Sequence, residues 1–345
     1  MMAKKRKHES DVPVQANGKL PDTSKPTAVY RPTGGRTNTI SVALPGSIIA
    51  NAQSHDQKTY LAGTIARALA VFCVDEVIIF EDEPHRSSKG SIQDDDVDQD
   101  KYTAFSNPSH FLAHILSYLE TPAYLRKALF TMHPNLRTAG TLPSLDMPHH
   151  LRANEWCEYR EGVTIDEPTR HGSKVDVGLP QRYTIPAVQI PPQTRVTLHL
   201  NEMSTEAEAV YPSEPKEEAG YYWGYSVRRC SSLSTVFTEC PYDGGYDASF
   251  GTSERGKPIS EALESASAKP EHMLVVFGGV AGLEAAAQAD PELSAKGITS
   301  GNVSELFDYW INVLPGQGSR TIRTEEAVWL GLMDLRDLFH VAHGG

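Results

Sequence analysis

The chain of 345 residues is poor in cysteine, with four in all. Cys73, Cys157, Cys230 and Cys240 are scattered and form no CxxC pair, so neither a disulfide framework nor a zinc site is indicated, and a reducing compartment is expected. Long apolar runs are missing too; none approaches the ~18 residues that would cross a bilayer. At the N-terminus basic residues are followed by polar ones rather than an apolar stretch, unlike a secretory signal. Positive charge is also short: 32 Lys and Arg face 44 Asp and Glu, for a net −12. That balance excludes generic affinity for nucleic acid, which is mostly phosphate neutralisation, so any RNA surface has to be a local basic patch. Familiar signatures are absent as well: no GxxxxGK[ST], no early strand followed by GxGxxG, no HExxH and no EF-hand loop. Gly251–Gly256 (GTSERG) is not a GxSxG elbow, because its second glycine comes one position late. Nucleotide hydrolysis, serine hydrolysis and zinc catalysis are thereby disfavoured, and no metal is expected.

What is present is enough chain for a large core, in one big domain or two. Residues 1–35 are polar, without periodicity, and read as a disordered tail. Its cluster Lys4, Lys5, Arg6 and Lys7 reads as a nuclear-import signal, an RNA tether or simply a solubilising tail. TISVAL (39–44) predicts a buried strand. Leu61, Ile65, Ala68, Leu69 and Phe72, at i, i+4, i+7, i+8 and i+11, predict a helix, and 74–80 a second strand. Strand, helix and strand in that order suggest a parallel crossover unit and an α/β sheet. An acidic run (Asp94, Asp95, Asp96, Asp98, Asp100) reads as a solvated loop; Asn107-Pro108 opens a helix, and Pro122 a shorter one. From about Glu155 to Tyr222 short β-like pieces such as RVTLHL (195–200) alternate with turns, suggesting a small all-β insertion. Beyond it the α/β character returns, with strands at 273–277 and near 311–314 and a final helix from about Thr324.

Three loops in the last third carry the chemistry: 251–256 (GTSERG), 277–284 (FGGVAGLE) and 314–323 (LPGQGSRTIR). Each is expected beyond the carboxyl end of a strand, where open α/β sheets bind ligands, and glycines there let backbone approach a ligand closely. Spacing alone names no ligand. The best internal basic region runs from Arg126 to Lys174 and includes Lys127, Arg137, Arg152, Arg160 and Arg170, yet six acids interleave it. Tyr221, Tyr222, Trp223 and Tyr225 are either base-stacking aromatics or, as such clusters more often are, core or interface. By periodicity Arg67 points almost opposite the apolar stripe of its helix, where a solvated arginine is expected. Glu284 either pairs with a cationic ligand or starts a helix with an acid in its first turn.

From Thr39 to about Leu335 the chain resembles the SPOUT (class IV) RNA methyltransferases, in the archaeal and eukaryotic branch with an OB-like insertion. The resemblance rests on ALPGSIIANAQ (43–53), TYLAGTIARALAVFCVDEVIIF (59–80), YWGYSVR (222–228), GYDASFGTSERG (245–256), VVFGGVAGLE (275–284) and NVLPGQGSRTIRTEEA (312–327). It implies an α/β fold: a SPOUT-type parallel sheet flanked by helices, with a C-terminal trefoil knot and a small β-rich inserted domain. The methyltransferase domain would comprise 36–154 and 223–345, and the OB-like insertion 155–222. It also implies S-adenosyl-L-methionine as cofactor, RNA as substrate, a homodimer, and a nuclear or nucleolar location with the cytoplasm as the alternative. The implied cofactor residues are Thr252, Gly256, Phe277, Gly278, Gly279, Gly282, Leu283, Glu284, Leu314, Gly316, Gly318, Ser319, Thr321, Ile322, Thr324 and Ala327. Arg67 resembles the first-motif arginine near the target nucleotide, the catalytic role. Arg126, Lys127, Arg152, Arg320 and Arg323 are the candidate RNA contacts. The third motif departs from the commoner form by its Ser-Arg-Thr-Ile-Arg, and no general base is identifiable. With the acidic net charge, that leaves open a non-catalytic RNA-binding factor that keeps a cofactor pocket.

Overall fold

The computed structural model of the chain describes residues 34–83, 101–167, 172–264 and 270–339. The polar tail up to residue 33, the acidic run, Arg170 and His171 lie outside the described residues. β1 (Thr39–Pro45) leads through a 3-10 turn (Gly46–Asn51) into α1 (His55–Val71) and β2 (Glu76–Phe80), and α2 (Pro108–Glu120) and α3 (Ala123–Leu129) follow. Five short strands come next: β3 (Tyr159–Ile165), β4 (Ser173–Asp176), β5 (Tyr183–Ile185), β6 (Arg195–Leu200) and β7 (Ala207–Val210). The rest is α4 (Glu214–Glu217), β8 (Ser226–Cys230), α5 (Leu233–Thr238), β9 (Ala248–Pro258), α6 (Ile259–Glu264), β10 (His272–Val276), α7 (Gly282–Ala289), α8 (Pro291–Ala295), β11 (Tyr309–Asn312) and α9 (Thr324–Phe339).

Local chemistry accounts for the helix starts. Ser54 and Gln57 close a capping box on α1, and the Asn107 side chain accepts from His110 N–H with Pro108 in the first turn of α2. Six strands form one parallel sheet in the order β11-β9-β10-β1-β2-β8. Its side chains alternate between two layers. Val42, Leu44, Val77, Ile79, Met273 and Val275 face the core shared with α1, α2, α6 and α9. Ala43, Ile78, Phe80, Leu274 and Val276 face α5, α7 and α8. Each fully buried aliphatic among them contributes about 1.5–3 kcal/mol. Consequently β1 and β10, neighbours in the sheet, send their following helices to opposite faces and leave a crevice between their carboxyl ends, a topological switch point.

The parallel α/β sheet expected from the strand–helix–strand pattern is present, and strand RVTLHL falls where it was expected. β11 begins two residues earlier than the apolar pattern suggests. It stops at Asn312, whose side chain accepts from the Leu314 N–H and turns the chain out of the sheet. After this edge strand the chain returns to β10: Thr324 Oγ donates to the Gly278 carbonyl at 3.0 Å, and Gly331 of α9 rests on the Phe277 ring.

The second sheet is antiparallel, ordered β5-β4-β3-β6-β7, and a bridge between Thr184 and Glu206 brings its two edges nearly together. A buried ion network joins it to the main body. Arg195 of β6 forks onto Glu120 at the end of α2 (2.6 and 3.0 Å) and reaches Glu161 of β3 at 2.6 Å. Thr197 and the Trp223 indole also donate to Glu161, and His149 lies 2.9 Å from Glu120. Burial alone would raise the Glu120 carboxyl, but Arg195 and His149 outweigh it and hold it far below the usual range. The aromatic run resolves as core: Tyr222 and Tyr225 are buried and donate to the carbonyls of Val74 and Leu116.

The network and the buried histidines of the same body set two expected outcomes. Arg195→Ala removes the guanidinium from two buried carboxylates, leaving Glu120 to His149 and Glu161 to Thr197 and Trp223, and is expected to cost about 3–5 kcal/mol in chemical denaturation; Arg195→Lys recovers only part, because one ammonium cannot replace the fork. The acid response is set by histidines buried neutral. Burial, helped by His133 and His110, pushes His114 down to about 4, and burial with His149 pushes His150 down to about 3. The unfolded chain takes up these protons first, below the ordinary 6.5. Stability measured against pH should therefore be level above that value and decline below it, with the Glu120 contribution lost at still lower pH.

Candidate functional site

The crevice at the switch point is built from three strand ends. After β10 the chain turns through Gly278 and Gly279 into α7. A Cβ on Gly279 would stand 3.0 Å from Ser47 Oγ and 3.3 Å from Asp82 Oδ2, so the glycine lets this turn lie close against the ends of β1 and β2, where a side chain would make those neighbours give by a few tenths of an ångström. Ser47 donates through its amide and its hydroxyl to the two oxygens of Asp82. Burial raises the Asp82 carboxyl above the ordinary aspartate value, against the lowering effect of those bonds. On the far side of the turn Glu284, in the first turn of α7, lies 3.7 Å from Arg255.

The other two loops border the same edge. GTSERG does not follow a strand end, as its sequence suggested, but interrupts β9. Trp310 pairs with Gly251 and the next residue, Ile311, with Lys257, so 252–256 stand out as an excursion within the strand. The pattern of a single extended run with one turn at its end cannot show such a shift, because the register belongs to the neighbouring strand. The excursion is fastened to the third loop by Asn312, whose side-chain amide donates to the Glu254 carbonyl at 2.9 Å. Residues 314–321 are largely exposed, braced by Gln317 donating to the Ser319 carbonyl.

Among the residues singled out in the sequence, Thr324 bonds to the Gly278 carbonyl and Glu284 lies beside Arg255 of the 252–256 excursion, while Leu314, Gly316, Gly318, Ser319, Arg320, Thr321 and Arg323 are exposed. The Phe277 and Leu283 side chains are buried in the two cores, and Ile322 and Ala327 pack at the edge of one of them. Only their backbone is left to face a ligand. Sequence reasoning missed Ser47 and Asp82. The available signal was positional, a serine and an acid each two residues beyond a strand at or next to the switch point.

Arg67 stands apart. It lies toward the C-terminal end of α1, and its Nη1 donates to the carbonyls of Leu145 (2.7 Å) and Ser144 (3.3 Å). Thr59, Gly63 and Arg67 form one stripe crossed by a strap: Thr138 donates to Thr59 at 3.0 Å, and a Cβ on Gly63 would fall 2.7 Å from Leu142 Cδ2. The face opposite the apolar stripe is therefore covered, not open to solvent. Arg126 is likewise engaged, donating to the carbonyls of Leu119 and Thr121 while it stacks on Tyr118. Arg160 is buried, bonded to the carbonyl of Val177. Lys127, Arg152 and Arg320 are exposed, and Arg323 is mostly so, 3.9 Å from Glu325. Among the described residues no group of three or more His, Cys, Asp or Glu is placed to hold a metal ion.

A glycine turn at the switch point of a parallel sheet is the place where open α/β folds take ligands. Residues 39–335 match the family described as "Putative RNA methyltransferase". The chain is 46% identical over 313 residues (88% of it, 79% of the relative) to a human 28S rRNA (uridine-N(3))-methyltransferase. To the mouse enzyme of the same name it is 45% identical over 314 residues, covering 89% of this chain and 78% of that one. To the Drosophila enzyme of that name it is 44% identical over 309 residues, covering 87% and 62%. The chain belongs to this family, and it is an enzyme that methylates RNA.

Arg67→Ala is expected to release the strap by unpairing two carbonyls, at about 1–3 kcal/mol in denaturation. A loss of methyl transfer with stability unchanged would show instead that the arginine's contribution lies in the reaction.

Proposed function

We propose that the chain transfers a methyl group from S-adenosylmethionine to a base nitrogen of ribosomal RNA, the uridine N3 named for its human, mouse and fly relatives. The observation that supports this reading is the close approach at Gly279, where three strand ends meet and a Cβ would stand 3.0 Å from Ser47 Oγ and 3.3 Å from Asp82 Oδ2. Such an approach suits a small polar cofactor held by main-chain groups. Backbone around Gly278, Gly279, Gly282, Leu314, Gly316, Gly318 and Ile322 would hold it, with 252–256 as a further wall. S-adenosylmethionine supplies an electrophilic methyl group on a sulfonium, whose C–S bond breaks with both electrons remaining on sulfur. The protein's own contribution is alignment of the acceptor with that carbon and exclusion of water from the crevice.

In this reading the fold is of the SPOUT type, and the return of the chain from β11 to β10 and α9 is the course of its trefoil knot. Residues 155–222 act as an OB-like RNA-reading insertion, supported by the nearly closed five-stranded sheet. Lys127, Arg152, Arg320 and Arg323 have the exposure to meet phosphate; Arg126 serves the end of α2 instead. For Arg67 to act on the acceptor, α1 of one subunit has to face the crevice of another, which fits a homodimer. A substrate in ribosomal RNA favours a nuclear or nucleolar location.

Titration calorimetry with S-adenosylmethionine, followed by tritium transfer to total RNA and nucleoside analysis, tests the reading. Saturable binding and labelled 3-methyluridine are expected, with Gly279→Val weakening binding at least about tenfold, since its side chain would crowd this approach. Failure to bind the cofactor, or label appearing only in another nucleoside, would overturn it.

A further inference from the structure

Asp82 has no part in packing either core, yet it stands at the centre of the crevice. It lies two residues beyond β2, takes both donors of Ser47 from the end of β1, and sits 3.3 Å from the position of a Cβ on Gly279 beyond β10. Three strand ends thus converge on one half-buried carboxyl. Among the described residues no lysine, arginine or histidine is paired with it. Among the described residues its charged neighbour is Glu83 on its own segment, and the Glu284 carboxylate beyond the glycine turn is accompanied by Arg255. Glu284 is the other carboxylate of the site, but it folds under Gly282 on the far side of the turn. Among the described residues this carboxylate has hydroxyl and amide donors and no cation partner, and burial makes it a better proton acceptor than an ordinary surface aspartate.

We propose that Asp82 is the general base of the methyl transfer, accepting the proton that the acceptor N–H must lose. The inference rests on the reading above that the acceptor is a ring N–H. As the proton passes to an Asp82 oxygen, the N–H bonding pair remains on nitrogen and forms the new N–C bond. The donor's C–S pair stays on sulfur, so the cationic donor ends neutral. The protonated Asp82 then returns its proton to water. Ser47 is a positioning residue, because its two bonds fix the carboxylate against the turn and favour its ionised form.

The test compares the full-length wild type with Asp82→Asn and Ser47→Ala. Cofactor affinity is read by calorimetry, RNA affinity by filter binding, and single-turnover transfer across pH. For Asp82→Asn both affinities should stay within about threefold, while transfer falls by about 10²–10⁴-fold and the acid limb of the rate profile disappears. Ser47→Ala should move that limb to higher pH, because losing the hydroxyl bond raises the carboxyl further. The proposal is overturned if Asp82→Asn transfers within about threefold of wild type with an unchanged profile. It is equally overturned if the lost rate is matched by lost affinity, or if Ser47→Ala reproduces Asp82→Asn, which would make the carboxylate a brace. A wild type that methylates no base nitrogen strikes the reading of the acceptor, and Asp82 falls with it. A methylating wild type beside an unimpaired Asp82→Asn strikes Asp82 alone.

Discussion

Parallel pairing of β1 with β10 is the constraint from which the site follows. Thr39–Ala43 lie in register with His272–Val276, although more than two hundred residues separate the strands in sequence. Because β1 feeds α1 on one face and β10 feeds α7 on the other, the helices diverge just where the strands end. Backbone amides and carbonyls at that gap have no neighbouring strand to satisfy them, and a ligand can take their place. The return of the chain from β11 to β10 then lays the third loop and α9 beside the same gap, fixed by Thr324 on the Gly278 carbonyl.

The antiparallel sheet is attached by different physics. Its link to α2 is a buried fork of Arg195 on Glu120 and Glu161, with His149, Thr197 and Trp223 completing the set. Such a network holds orientation more than it stabilises, since desolvation of the charges offsets much of their attraction. Its geometry is bidentate, so the sheet cannot rotate on α2 without breaking two bonds at once. An RNA-reading surface on that sheet would thereby keep a fixed relation to the crevice, which is what alignment of a large substrate requires.

Several features legible in the sequence came from short-range patterning. The apolar stripe of α1, the Asn107-Pro108 start of α2, the strand RVTLHL and the glycine turn after β10 all rest on rules that act within a few residues. The arginines show the limit of such rules. Periodicity could say that Arg67 opposes the apolar stripe. It could not say that residues 138–145 cross that face and take its Nη1 on two carbonyls. Arg126 was a basic residue in a basic stretch, and the fold uses it to hold the end of α2.

The sequence by itself determined the α/β pattern and the three glycine loops, and its resemblance to a known family pointed to the chemistry they serve. Tertiary structure decided which loops share an edge, that GTSERG is an excursion inside β9, and that the aromatic run is core. It also decided that Ser47 and Asp82 belong to the crevice. The reason is physical: helix periodicity, capping and turns depend on neighbours along the chain, whereas strand order and register depend on partners far away in it. An aspartate two residues past a strand reads as an ordinary polar loop until β1 and β10 are set beside it.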